Sequence, residues 1–225
     1  MRVWIVLSLL SGIISTSYAQ LRPISQERTL WATLTYECCT LIGCQLIERA
    51  ESESATDFGV FDPFDVSAKV ACCPDDALPC TRPVSYATHY SNIQESGLEA
   101  AGSISAYSLG SPATCGSRFR VEFDVTVPSR FSLDASVMAT TFGSQDMISG
   151  RIALVGSGIR IELESNGEEA TLHENGPLPA GRYVIDATIA LNSADSGRGN
   201  FSLQLDISPT SVQGSTWQFI KRLYQ

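Results

Sequence analysis

The ten residues 118–127, RFRVEFDVTV, restrict this chain more than any other stretch. Phe119, Val121, Phe123, Val125 and Val127 alternate with Arg118, Arg120, Glu122, Asp124 and Thr126. A period of two places the apolar set on one face of a β-strand and the charged set on the other. The pattern recurs. Phe131, Leu133, Ala135 and Val137 share a face, as do Tyr183, Ile185, Ala187, Ile189 and Leu191. Phe201, Leu203, Leu205 and Ile207 make a further set. Ile159, Ile161 and Leu163 make another, beside the charged Arg160, Glu162 and Glu164. One-sided strands belong to antiparallel sheets, not to the doubly covered parallel sheets of α/β folds. No window of a dozen residues beyond Thr29 carries a helical stripe. The nearest, LIGCQLIERAESE at 41–53, reads as a strand or loop edge.

The breaks between these runs carry turn chemistry. Asn166-Gly167, Asn175-Gly176-Pro177 and Pro179-Ala180-Gly181 favour tight reversals. Val155-Gly156-Ser157-Gly158 reads as a hairpin turn, SADSGRGN at 193–200 as a longer polar hairpin loop, and ESESATDFGV at 51–60 as an exposed loop. About ten strands are expected on this pattern. So many one-sided strands bury their apolar faces by pairing two sheets. The expected fold is all-β: a two-sheet antiparallel β-sandwich, jelly-roll-like and disulfide-crosslinked, with a closed barrel as the other solution.

The first residues, MRVWIVLSLLSGIISTSYAQ, combine Arg2, an apolar run and the small-residue pattern Ser17-Tyr18-Ala19. That is the form of an export signal cut after Ala19. The apolar run falls short of the roughly 20 residues of a membrane span. No cysteine stands at the cut, and the end STWQFIKRLYQ, with Lys221 and Arg222, is too short and polar for an anchor. The expected organisation is a signal over 1–19, a lead over 20–28, one sandwich domain over 29–210 and a tail over 211–225. Loss of Arg2 with the signal takes the formal charge from −9 to −10. Such a balance disfavours nucleic acid and anionic membrane as partners. The protein is expected to be secreted, periplasmic or at the cell exterior, without membrane insertion.

Several segments occur in a familiar order: DFGVFDPFDVSAKV, YATHYSNIQESGLEAAGSISAYS, SRFRVEFDVTVPSRFSLDASV, NGPLPAGRYVIDATIAL and NFSLQLDI. Over roughly residues 29–207 the chain resembles exported bacterial β-sandwich proteins that often carry a C-terminal Pro-Glu-Pro sorting segment. The sorting segment is absent here and the cysteine pairs depart from the pattern. The resemblance implies a sandwich and export. It implies no activity and transfers no catalytic residue.

Seven cysteines are present. Cys38, Cys39 and Cys44 form one cluster, Cys72, Cys73 and Cys80 a second, and Cys115 stands apart. In an exported protein the default for the two clusters is disulfide. Neither spacing is the C-x-x-C of a zinc or redox site. WATLTYECC and DVSAKVACC both read as strands ending in a cysteine pair, so bonds from Cys38 or Cys39 into the second cluster are expected. Six cysteines allow 15 connectivities, which the sequence leaves open. Cys115 is the odd thiol, free or intermolecular.

No catalytic constellation stands out. His89 and His173 are the only histidines, and no G-x-S-x-G is present. His173 reads as a solvated loop residue. Glu162, Glu164, Glu168 and Glu169 are close in sequence, but the first two lie on the wet face of a strand. Asn192, Asp195 and Asn200 are the weak candidates for calcium, without the ligand order of a calcium loop. Asp57, Asp62 and Asp65 form a second loose cluster, with Phe58, Phe61 and Phe64 read as plugs of the core. Trp31 and Trp217 read as core or capping residues. No cofactor is expected. The function expected is a structural or interaction role outside the cell, with a carbohydrate-binding or adhesion module as the alternative and a hydrolase behind it. A glycan-binding module would group two or more exposed aromatics on one surface.

Overall fold

The computed structural model describes residues 21–40, 43–55, 62–71, 83–108, 110–142, 147–165, 167–193 and 195–210. Among these, twelve strands follow in order: β1 (Leu21–Thr40), β2 (Gly43–Ala55), β3 (Phe64–Ala71), β4 (Val84–Gln94), β5 (Gly97–Tyr107), β6 (Ala113–Val125), β7 (Ser129–Thr141), β8 (Met147–Gly156), β9 (Ile159–Ser165), β10 (Ala170–Leu178), β11 (Gly181–Ser193) and β12 (Ser196–Pro209). They form two six-stranded sheets. Sheet 1 runs β2-β1-β6-β11-β8-β9 and sheet 2 runs β10-β7-β12-β5-β4-β3. The pairings are antiparallel.

The alternation seen in the sequence sets the two faces. Phe119, Val121 and Phe123 of β6 are fully buried, as are Leu30, Ala32 and Leu34 of β1 to within 1 %. They meet Leu133, Val137, Phe201 and Leu205 from sheet 2 in one continuous core. Tyr183 is fully buried too, and its hydroxyl donates to the Pro179 carbonyl at 2.7 Å. That bond supplies the polar tip of a buried tyrosine with the partner it needs.

The turn at Ser157-Gly158 joins β8 to β9 as a two-residue hairpin loop. Both residues have positive φ, 40° and 84°. Positive φ at both positions is the turn whose twist matches that of the flanking strands.

Four segments differ from the sequence reading. Asn175-Gly176-Pro177 does not reverse the chain but lies within β10, paired to β7. β10 is an edge strand, where a proline forfeits no ladder hydrogen bond. Residues 51–55 continue β2 and are not a loop, and residues 196–200 belong to β12, which shortens the expected hairpin loop. The ladder also reaches back to Leu21, eight residues ahead of Thr29, with an irregularity between Pro23 and Ser25.

Candidate functional site

Strand register decides which outward side chains share a row, because directly paired residues stand side by side on one face. On the outer face of sheet 2, one row reads Asp65, Tyr90, Ala101, Ser202, Ser136, Thr171, crossing six strands. Its centre is low, made of one methyl group and two hydroxyls, and Ser136 and Ser202 bond to each other at 2.9 Å. The row on one side is Asn92, Glu99, Gln204, Asp134, His173. The row on the other is Thr88, Ser103, Asn200, Met138. Short side chains beside the taller row from Asn92 to His173, with Asn200 and Met138 across from it, make a trench running across the strands. It consists of two overlapping depressions of about 590 and 430 Å³ that share Tyr90, Ala101, Ser136 and Ser202.

Tyr90 is exposed at one end. Its hydroxyl donates to Glu99 Oε1 at 2.7 Å, and Asn92 Nδ2 donates to the same oxygen at 3.3 Å. The bond to the Glu99 carboxylate raises the phenol pKa above its ordinary value. Tyr86, on the same face of β4, and Tyr107, half exposed on β5, stand four and six residue positions along the ladder from the Tyr90 row. Three partly exposed tyrosines therefore share this sheet face. At the other end, His173 Nδ1 contacts Asp134 Oδ1, and that bond raises the histidine pKa. His173 stands on β10, not in a loop. The pair resembles two of the three members of a hydrolytic triad. Ser136 Oγ, however, is bonded to Ser202, and the ladder uses the strand N–H groups that an oxyanion would need.

The outer face of sheet 1 is built differently. Arg118 bridges Glu27 and Asp186, Arg120 joins Asp186, Arg182 joins Glu122 and Asp124, and Arg151 and Arg160 clasp Glu162. Both signs interleave, so the charge largely cancels. Trp31 lies here, half buried and outward, against Gly116: a Cβ there would fall 2.1 Å from the indole. It is neither core nor cap. The indole fills the space that the glycine leaves on the sheet surface. Beyond it a depression of about 620 Å³ is lined by the Arg120–Asp186 pair, Arg151 and Glu164.

Between the sheets sits a polar cluster that the sequence did not announce. Arg28 is 2 % exposed and His89 1 % exposed. Arg28 Nη1 donates to the Asp62 carbonyl at 2.9 Å and to Ser91 Oγ at 3.4 Å. Ser91 Oγ lies 3.0 Å from His89 Nε2, and Ser117 Oγ lies 2.9 Å from His89 Nδ1. Both ring nitrogens are therefore partnered by hydroxyls, which can donate or accept. Burial, followed by the nearby Arg28 charge, lowers the His89 pKa to about 4. Phe64 closes over the pair, 5.3 Å from the guanidinium carbon and 5.4 Å from the imidazole.

The other sequence candidates do not converge. Asn192 lies on the outer face of sheet 1, Asn200 on that of sheet 2, and Asp195 between β11 and β12. Among the described residues no group of three or more His, Cys, Asp or Glu could hold a metal ion. Cys115 is buried on β6 as a free thiol, with its pKa pushed up to about 11 by burial. Cys72, Cys73, Cys80, Asp57, Phe58, Phe61 and Trp217 lie outside the described residues.

No family model matches this chain, and no curated protein matches it. Among solved structures, it is similar to a carbohydrate-binding module, TmCBM61, in complex with β-1,4-galactotriose. That alignment has 10 % identity and a TM-score of 0.28, and covers 64 % of this chain and 88 % of the other. It is also similar to the VP2 subviral particle protein of infectious bursal disease virus, at 10 % identity and a TM-score of 0.18, covering 86 % and 63 %. At such scores neither carries an argument about this chain.

Proposed function

We propose that this protein is an exported β-sandwich that binds a hydroxyl-rich polymer, a glycan, in the trench on the outer face of sheet 2. The observation that carries the reading is Tyr90, held at the trench end by Glu99 beside a floor of Ala101, Ser202 and Ser136. A sugar ring has an apolar face and a polar edge. An exposed phenol with a fixed hydroxyl, next to amides and hydroxyls that both donate and accept, matches both. Tyr86 and Tyr107 stand on the same face further along the ladder, outside the trench lining, where a long polymer chain would reach them. Glycan-array screening followed by calorimetry on the best ligand tests the proposal. Tyr90→Ala is expected to weaken binding about tenfold, the equivalent of about 1.4 kcal/mol, with Tm unchanged. An array without binders, or a Tyr90→Ala variant that binds as well as the parent, would count against it.

Export fits the fold, since a cut after Ala19 leaves the buried Leu21 and its N–H bond to the Glu95 carbonyl in place. Crosslinking by disulfides belongs to the same reading. The register of the β1–β2 hairpin sets Cys39 directly opposite Cys44. Paired residues in an antiparallel ladder are about 4.5–5.5 Å apart at Cα, within the range a disulfide spans. We therefore assign Cys44 to Cys39, within one hairpin, in preference to a bond from Cys39 into the second cluster. Such a bond would add about 2 kcal/mol. Peptide mapping without reduction is expected to recover Cys39 and Cys44 in one linked pair. Recovery of Cys39 bound to Cys72, Cys73 or Cys80 would refute the assignment.

A further inference from the structure

The trench is charged as well as polar. Asp65, Glu99, Asp134, Glu169 and Asp206 line it or its extension towards the β4–β5 turn. Among the described residues no lysine or arginine lines any of these depressions, and Lys69, Arg130 and Arg198, the cations described on the same sheet face, stand outside the lining. His173 contacts Asp134, and when protonated it offsets that one carboxylate. Four acidic groups stay uncompensated by any basic lining residue. On the outer face of sheet 1, by contrast, Arg118, Arg120, Arg151 and Arg182 pair with Glu27, Asp186, Glu162 and Glu122.

The carboxylates are also spread out. Glu99 and Asp134 stand on either side of Gln204, two strand spacings apart, which is about 10 Å. A single metal ion needs its oxygen ligands within about 2.6 Å of itself, and no three-ligand group exists among the described residues. Separated negative charges along a trench suit a ligand whose positive charges are separated as well. An exposed aromatic ring at the trench end adds a face that attracts cations.

Resting on the glycan reading above, we infer that the ligand is an amine-bearing polysaccharide, its ammonium groups set against Glu99, Asp134 and the other trench carboxylates while a ring lies on Tyr90. The same charge pattern turns away uronate-rich and sulfated chains by like-charge repulsion.

The test compares four probes on the mature protein at pH 6: a glucosamine polymer, its N-acetylated counterpart of equal length, polygalacturonate and polylysine. Calorimetry is run at low and high salt. The glucosamine polymer is expected to bind at least tenfold more tightly than the N-acetylated one, with affinity falling as salt rises. Polygalacturonate is expected not to bind. Glu99→Gln and Asp134→Asn should each weaken the glucosamine polymer several-fold and flatten its salt dependence. Equal binding of both polymers would overturn the inference and leave the glycan reading standing. Polylysine binding as tightly as the glucosamine polymer, unaffected by Tyr90→Ala, would overturn both. So would the absence of binding to every polysaccharide.

Discussion

Lowering the pH from 7 to 4 is expected to remove about 3 kcal/mol of folding stability through His89 alone. In the unfolded chain this imidazole titrates at its ordinary value, about 6.5, whereas in the fold its pKa is lowered to about 4. Between those values the unfolded state binds the proton and the folded state does not. Stability is therefore complete above pH 6.5, and it falls as pH drops through the window towards the folded pKa. The structural reason is the burial of the imidazole close to a cation that is itself buried. A second proton on the ring would set another buried positive charge beside Arg28, whose guanidinium donates to the Asp62 carbonyl and the Ser91 hydroxyl. His173 works in the opposite sense, since its pKa is raised by Asp134. Its ion pair is present in acid and lost as pH rises through its folded pKa. Thermal melts of the parent and of His89→Gln at pH 7 and pH 4 isolate the effect. The parent is expected to lose about 6–12 °C more than the variant, because the carboxylate background is common to both. Equal losses would show that His89 does not carry the acid sensitivity.

The fold was legible because one face of each strand is buried. In 118–127 the alternation alone separates Phe119, Val121 and Phe123, which are fully buried, from Arg118, Arg120 and Glu122, which form the ion pairs of the outer face. The same pattern concealed Arg28 and His89. Arg28 holds an inward position between Gln26 and Leu30. Nothing local shows that an arginine there points into the sandwich, because its partners, Asp62 and Ser91, lie 34 and 63 residues away. The trench was hidden for a related reason. Glu99, Asp134 and His173 come from β5, β7 and β10, and only the cross-strand register brings them into one row. A sequence read along the chain carries period two but not register between distant strands. Trp31 was misread because its environment depends on Gly116, a residue of the neighbouring strand with no side chain to signal the contact. His173 was misplaced because glycine and proline in Asn175-Gly176-Pro177 suggest a turn, yet an edge strand accommodates both.

Phe119→Ala is expected to cost about 3–5 kcal/mol, and its consequence should extend beyond stability. Phe119 is fully buried on β6, between Arg28 of β1 and Ala187 of β11 in register. Its ring centre is 6.2 Å from that of His89, so it forms part of the apolar wall around the buried polar cluster. Truncation removes contacts to both sheets and leaves a void that the ladder on either side prevents from collapsing. Tm should fall by about 6–20 °C, against a change within about 0.5 kcal/mol for Leu46→Ala, whose side chain is 75 % exposed. The void opens next to Arg28 and His89, and any water entering it would solvate the charged form of the imidazole. Burial is the first cause of the lowered His89 pKa, so the acid window should narrow in the variant from its lower end. Comparing the pH 7 and pH 4 melts of Phe119→Ala with those of the parent reads both effects together. A variant that keeps the parent's Tm would show that the two sheets do not pack through this ring. A lowered Tm with an unchanged acid loss would show that water does not reach the cluster when the ring is removed.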